Sequence, residues 1–160
     1  MNHSKLLTVG LLGLLSLLVS SQLFAQEDIL QKRKDLMNGS YDALKAVKKA
    51  VEEKDYDTVA LKARDIMGRM DKVLDVFPKG STGEKSKAKP EIWEKWDEFS
   101  KLPVKVKDVA GALAKAAAAK DEAGVEAQFK ILGPESPFRS GACFNCHKEF
   151  RSSPPAKTKS

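Results

Sequence analysis

Hydrophobic residues recur at three- and four-residue steps in four stretches of the chain, which is the spacing of one face of an α-helix. The first stretch predicts a helix from about Glu27 to Glu53, with a stripe formed by Leu30, Met37, Tyr41, Leu44, Val47 and Val51. The second predicts a helix that is capped by Asp57 and ends at Pro78 and Gly80, with a stripe formed by Val59, Ile66, Met67, Met70, Val73, Leu74 and Phe77. No stretch alternates as a strand does, so the chain is predicted to be all-α.

The third stretch follows a segment from 79 to 89 that is rich in Gly, Ser and Lys and therefore predicts an exposed connection. Pro90 suits a first helical turn, and the helix is expected to continue toward Ala119. Its stripe consists of Ile92, Trp93, Trp96, Phe99, Val106, Val109 and Leu113. Because Pro103 lacks a backbone donor and clashes with the preceding turn, a kink or short break is expected near Leu102.

A fourth helix is predicted to begin near Asp121 and to end at Gly133, after which a final helix should hold about Phe138 to Arg151. The apolar stripe of the fourth helix consists of Val125, Phe129 and Leu132. Four amphipathic helices with short connections bury their stripes most simply as an antiparallel four-helix bundle. Such a bundle can hold a cofactor between facing helices, and the same periodicity also fits a bundle with a dry core.

The first 25 residues have the order of a secretory signal peptide. Lys5 is followed by an apolar run from Leu6 to Val19 and then by a segment that ends at Ala25, where cleavage is expected. This run is shorter than the roughly 20 residues that a membrane-spanning helix needs, so a permanent anchor is disfavoured. The sequence thus predicts an exported protein.

The predicted organisation is a signal peptide at 1–25, one bundle domain at 26–151 and a disordered tail at 152–160. The chain has 28 Lys and Arg against 22 Asp and Glu, a formal net charge of +6. The Lys and Arg residues are scattered between acidic residues and form no concentrated basic patch, so a nucleic-acid-binding function is disfavoured.

The segment Cys143-Phe144-Asn145-Cys146-His147 fits the Cys-x-x-Cys-His pattern of covalent haem attachment. On a helix the two cysteines and the histidine fall at positions i, i+3 and i+4, so both thiols and the imidazole face one side. Cys143 and Cys146 are the only cysteines in the chain, and His147 is the only histidine after the predicted signal peptide. We therefore predict one covalent haem c, attached through both cysteines, whose iron is ligated by His147.

Three other interpretations of this segment each lack a part. A structural zinc site needs four ligands, and beyond these three residues only carboxylates remain. A Cys-x-x-Cys redox enzyme normally has its motif at a helix start after a strand. A disulfide between Cys143 and Cys146 would close a very small loop and stabilise the fold little.

The chain resembles the class II cytochromes c, the family of cytochrome c-prime and cytochrome c-556. The resemblance is carried by Arg33-Lys34-Asp35-Leu36-Met37, Phe77-Pro78-Lys79-Gly80-Ser81, Pro90-Glu91-Ile92-Trp93 and the final stretch from Cys143 to Arg151. It implies a four-helix bundle with the haem motif near its C-terminus, a periplasmic location and homodimers formed by the first two helices. It also implies that Arg33 and Arg151 lie near the haem, Arg33 toward the propionates. Pro103 and the segment 134–137 depart from the family pattern.

Met37 is predicted to be the sixth ligand of the iron. It lies on the apolar stripe of the first helix, so its thioether should point into the bundle. The resemblance adds that the position four residues after the first-helix arginine faces the distal side of the haem. Methionine at this position is typical of the low-spin c-556 type, and leucine is common in the five-coordinate type. The chain is therefore closer to the c-556 type.

The predicted function is electron transfer by a haem protein that is not an enzyme, since no substrate-transforming site is evident. The alternative is a five-coordinate protein that binds nitric oxide or carbon monoxide, and a third interpretation is a haem-free structural or thiol-redox protein. Expected partners are redox proteins and the cytochrome c maturation machinery; Lys32, Lys34 and Lys148 would steer an acidic redox partner. Trp93 and Trp96 are expected to be core or interface aromatics.

Overall fold

A computed structural model describes residues 3–82, 85–133 and 141–152 of the chain, with side chains from residue 27 onward. The helices are α1 (His3–Glu52), α2 (Tyr56–Met70), α3 (Glu91–Glu94), α4 (Trp96–Ala118), α5 (Glu122–Leu132) and α6 (Gly141–Phe150). A 3₁₀ turn, Leu74–Val76, follows α2. Within the described ranges there is no strand, only one isolated bridge between Ala88 and Arg151. The predicted all-α class is confirmed.

Helix α1 ends within one residue of its predicted end but begins much earlier, because it continues back to His3. The leucine-rich residues before Glu27 favour helix, which explains the extension. The Gly39–Ser40 pair does not interrupt it, since the Ser40 hydroxyl donates to the Leu36 carbonyl within the helix. In the described part of the chain, none of the helices combines the length and apolar character that crossing a membrane requires.

Two aspartates cap the helices that follow short turns. Asp121 accepts a hydrogen bond from the Gly124 amide at 3.0 Å and caps α5, which begins where the sequence predicts a helix start. The cap of α2 is Asp55, which accepts from the Thr58 amide at 3.1 Å, and not Asp57, which lies inside the first turn. Both caps satisfy a backbone donor that the helix itself leaves unpaired.

The third predicted helix is divided, but the prediction of a break near Leu102 is wrong. The interruption lies at Lys95, whose φ of −114° and ψ of 44° separate the short α3 from α4. Helix α4 then runs through Pro103 without interruption. Pro103 is buried on the same face as Phe99 and Val106, so packing of that face holds the helical backbone where the local proline rule predicts a break.

The predicted fourth helix and the predicted final helix are separate helices in the structure, as the sequence indicates. Helix α5 ends at Gly133, which has a left-handed φ of 109°, and α6 begins at Gly141, with a φ of 87°. A Cβ placed on Gly141 would lie 2.6 Å from the Gly133 Cα, so the two glycines meet backbone to backbone. The predicted start at Phe138 lies outside the described residues.

The helices pack as a four-helix bundle in which α5 and α6 together form the fourth member. Helix α2 packs against α1 and α4, and α4 also packs against α5 and α6. The first apolar cluster is the larger one and fills the region between α1, α2, α4 and α5; its members include Val47, Val59, Leu113, Val125 and Leu132. The second cluster consists of Val73, Val76, Phe77, Ile92, Phe99 and Phe150.

Candidate cofactor site

The Cys-x-x-Cys-His segment lies on α6, with its reactive side chains turned away from solvent. Cys143, Cys146 and His147 are partly buried, whereas Asn145 and Lys148 are exposed. The spacing of three and four residues places the two thiols and the imidazole along one side of the helix. That side is the one that packs against α4 and α5.

The two cysteines lie against different parts of the core. Cys143 packs against the first apolar cluster and Cys146 against the second. Burial raises the pKa of the Cys143 thiol to about 11. The pKa of Cys146 rises to about 12, mainly through burial and further through Cys143 and Glu149. Both thiols are therefore protonated at neutral pH, whereas a thiol-redox enzyme needs a cysteine with a lowered pKa.

His147 is held in its neutral form. Burial lowers the pKa of its imidazole, and the nearby charge of Arg151 lowers it further. A neutral imidazole keeps a nitrogen lone pair for a metal. Within the described residues no three His, Cys, Asp or Glu side chains converge to hold a metal ion directly.

Helix α1 brings Met37 to the same cluster as Cys146. Met37 and its neighbour Leu36 are partly buried and pack against the second cluster, which also receives Cys146 from α6. The two sulfur-bearing side chains thus approach one apolar region from opposite ends of the sequence. The predicted stripe on the first helix accounts for this placement of Met37.

Arg33 is buried, with only 8 % of its surface exposed, and its guanidinium lies against the segment that follows α2. Its Nε donates to the Val76 carbonyl at 2.9 Å, and its Nη2 donates to the carbonyl and hydroxyl oxygens of Ser81. Nη1 donates to the Ser86 hydroxyl at 3.0 Å, and the guanidinium carbon lies 4.0 Å from the centre of the Phe77 ring. Burial lowers the pKa of Arg33 to about 10, so the side chain remains charged at neutral pH.

Trp93 also forms hydrogen bonds with the turn that follows α2. Its Nε1 donates to the carbonyls of Phe77, at 3.1 Å, and Pro78, at 3.0 Å. The turn after α2 is therefore fixed both by α1, through Arg33, and by α3, through Trp93. The sequence predicts Trp93 only as a packing aromatic and gives no signal of this role.

Arg151 is exposed and follows α6 directly. The chain there runs beside the connecting segment, since the Lys89 amide donates to the Phe150 carbonyl and the Ser152 amide donates to the Lys87 carbonyl. Ser152, the first residue of the predicted tail, is thus hydrogen-bonded, and residues 153–160 lie outside the described ranges. Arg33 and Arg151 reach the same connecting segment, at Ser86 and Ala88.

These side chains form a donor set that fits a covalently attached haem. It contains two partly buried thiols on one helix side, a neutral imidazole beside them, an apolar region shared with a methionine and a buried cation, Arg33. Covalent attachment uses the thiols as nucleophiles toward the porphyrin edge, so they need not converge on a metal.

Comparison with known proteins gives a consistent family. The family model described as Cytochrome C' matches residues 28–151. A cytochrome c' of Pararhodospirillum photometricum is 35 % identical over 128 residues, covering 78 % of this chain and 97 % of the relative. A cytochrome c-556 of Agrobacterium fabrum is 34 % identical over 153 residues, covering 92 % and 96 %.

Solved structures agree at the level of the fold. Cytochrome c prime from Shewanella frigidimarina superposes with a TM-score of 0.69 at 19 % identity, covering 80 % of this chain and 97 % of that protein. Recombinant native cytochrome c prime from Alcaligenes xylosoxidans gives a TM-score of 0.68 at 21 % identity, with the same coverage. Both are similar to this chain over nearly their full length.

Proposed function

The chain belongs to the cytochrome c' family, whose members bind one covalent haem c, and from that premise we propose that it transfers electrons with iron ligated by His147 and Met37. The observation that carries the proposal is the packing of Met37 against the apolar cluster that also receives Cys146. The Met37 thioether therefore lies at the same apolar cluster as one of the two proposed haem attachment residues. When bound, the haem supplies one-electron chemistry, and methionine–histidine ligation tends to raise its reduction potential.

The other residues of the site would bind and orient the haem. Cys143 and Cys146 would form the two thioether bonds, and His147 offers a neutral imidazole because burial and Arg151 disfavour its protonated form. Arg33 would neutralise a propionate while remaining fixed by its hydrogen bonds to Val76, Ser81 and Ser86. The apolar residues of the second cluster would exclude water from this side of the site.

Export belongs to the same proposal. Residues 1–25 would act as a signal peptide, and residues 26–151 would form the mature bundle in the periplasm, where the cytochrome c maturation machinery attaches haem to the two thiols. The charged, apolar and small-residue order of the first 25 residues supports this assignment. We propose a homodimer through the first two helices as well, supported by the exposure of Leu61 on α2. A cytochrome c' of similar fold is described as having a ligand-controlled dimer dissociation.

The second candidate function is gas binding by a five-coordinate iron. A variant of cytochrome c prime from Alcaligenes xylosoxidans has been solved as a nitric oxide complex, and that protein has the fold of this chain, with a TM-score of 0.68. The two functions differ in one feature of the site: a sixth ligand from Met37 would close the face that a gas molecule needs.

Replacing Met37 tests the proposal. The native protein should be low-spin and slow to bind carbon monoxide, and Met37→Leu should be high-spin and quick, because leucine fills similar volume without a sulfur ligand. Optical spectra in both oxidation states and carbon monoxide mixing measure this. Met67→Leu is the matched control, since Met67 packs against the first cluster, and it should behave as the native protein does. A native protein that is already high-spin and indifferent to Met37→Leu would establish the gas-binding function instead.

A further inference from the structure

Trp96 is a large aromatic side chain at the surface of the bundle. It is the first residue of α4, directly after the interruption at Lys95, and 36 % of it is exposed. The other exposed large apolar side chains in the described part of the chain, Leu61, Val104 and Ile131, are aliphatic. Tryptophan is the residue type most enriched at the energetic centres of protein interfaces, so its exposure here points to a contact surface.

A continuous series of ring contacts leads inward from Trp96. Its ring centre lies 5.7 Å from that of Phe99, and Phe99 lies 5.3 Å from Phe150 in an edge-on arrangement. Phe99 and Phe150 are both buried at 2 % exposure and belong to the second cluster. Cys146 packs against that cluster, so the rings connect the surface with the helix that carries the haem attachment residues.

The surroundings of Trp96 are acidic although the whole chain is basic. Glu94, Asp97 and Glu98 are exposed beside it in the sequence. The intervening Lys95 is offset by an ion pair with Glu149 at 3.2 Å. A negative rim around an exposed tryptophan complements a partner surface that is positively charged around an apolar centre.

We propose that the Trp96 surface is where this protein exchanges electrons with a redox protein that presents a basic, partly apolar face. The inference rests on the proposed electron-transfer function. One electron passes between the two proteins, one being oxidised as the other is reduced, and no bond forms or breaks. The rings of Trp96, Phe99 and Phe150 are the packed medium between the partner and the haem site and are not themselves oxidised. This assignment differs from the expectation of an acidic partner steered by Lys32, Lys34 and Lys148, which stays a prediction.

Stopped-flow mixing of the ferrous, haem-loaded protein with ferric mitochondrial cytochrome c tests the proposal, because that acceptor has a lysine-rich face. Neutralising the rim with Glu94→Gln, Asp97→Asn and Glu98→Gln should lower the bimolecular rate constant about fivefold to tenfold at low ionic strength and flatten its salt dependence. Trp96→Leu should lower the rate about fivefold at every ionic strength, and Trp96→Phe should restore part of it.

Matched controls separate these effects from general changes of charge or apolar surface. Glu52→Gln, Glu53→Gln and Glu126→Gln remove three exposed acidic charges near the opposite end of the bundle and should leave the rate within about twofold of the native value. Val104→Ala removes exposed apolar surface on the same helix without a ring contact and should also leave it unchanged. The optical spectrum and reduction potential should be native in every variant, which shows that the haem site is intact.

The possible outcomes test the Trp96 surface separately from the proposed electron-transfer function. A native protein that is low-spin and reacts quickly, but whose rate is unaffected by the rim neutralisation or by Trp96→Leu, overturns the Trp96 surface alone. A native protein that is high-spin and exchanges electrons with no acceptor overturns the proposed function and the inference together.

Discussion

Arg33 and Arg151 both reach the segment that precedes α3, and their surroundings give them different effects. Arg33 is buried, and its charge is compensated by carbonyl and hydroxyl oxygens of the segment after α2. Arg151 is exposed and acts on His147, whose pKa it lowers. A buried cation needs this kind of complete hydrogen bonding, because leaving its donors unpaired would cost several kcal/mol. Arg33 is therefore held in place by these hydrogen bonds, whereas Arg151 lowers the pKa of His147 from an exposed position.

Replacing Arg151 should change the reduction potential of the haem-loaded protein. A positive charge near the imidazole opposes the additional positive charge of the ferric state, so Arg151→Gln should lower the potential, by about 10–40 mV for an exposed charge. Spectroelectrochemical titration measures the shift. Lys148→Gln is the control: Lys148 is exposed next to His147 in the sequence but is not a cause of its lowered pKa. If the reduction potential rises, or changes no more than in Lys148→Gln, then the charge of Arg151 does not act on the haem iron as expected.

For individual residues, the sequence predicts those features of the site that depend on the spacing of neighbouring residues. The pattern from Cys143 to His147 predicts one reactive helix side because its residues are three and four apart. The partners of Arg33 lie 43 to 53 positions away, and those of Trp93 lie 15 and 16 positions away across a turn. No periodicity connects residues at such separations, so these hydrogen bonds required the structure.

The boundaries of the helices depend on tertiary packing as well as on local sequence. Pro103 predicts an interruption by its own chemistry, yet α4 continues because that stretch is buried along its apolar face. Lysine is not a residue type that predicts a helix interruption, yet the helical backbone is interrupted at Lys95. Gly133 is predicted correctly as a helix end, because a left-handed helix end is the conformation that glycine adopts at least cost.

Helix α6 should be sensitive to the glycine at its start. Gly141→Ala should destabilise the protein by about 1–3 kcal/mol, because its φ of 87° and its contact with Gly133 both exclude a Cβ. Urea unfolding of the haem-loaded protein, followed by circular dichroism, measures the free energy of unfolding.

Gly68→Ala provides the control for this change. Gly68 lies inside α2, and no atom lies within 4 Å of the position that a Cβ would take there, so alanine should stabilise the helix by about 1 kcal/mol. If Gly141→Ala is as stable as the native protein, then the backbone contact between the two glycines does not constrain the placement of α6.

For the whole molecule, the apolar stripes were enough to predict a four-helix bundle. Each stripe requires a facing partner, and four stripes joined by short connections have few other ways to bury their surface. The stripes did not predict the division of the core into two clusters, of which the second contains Val76 and Phe77, the residues whose carbonyls accept hydrogen bonds from Arg33 and Trp93. Cys143 and Cys146 border different clusters, so the proposed haem attachment residues lie where both clusters meet α6.

Removing both cysteines should therefore affect the cofactor and the stability of the bundle together. The double variant Cys143→Ala and Cys146→Ala should contain no covalent haem, and each single variant should show weakened attachment through the remaining thiol. Mass spectrometry after denaturation, supported by haem staining of a denaturing gel, measures attachment because thioether bonds survive unfolding. Since α6 packs only against α4 and α5 among the major described contacts, losing the covalent link should also lower the thermal midpoint. A loss of about 1 kcal/mol lowers the midpoint of a domain of this size by about 2–8 °C, which is readily measured. Covalent haem in the double variant would overturn the assignment of both cysteines, whereas an unchanged midpoint without covalent haem would mean that protein packing alone holds α6 in place.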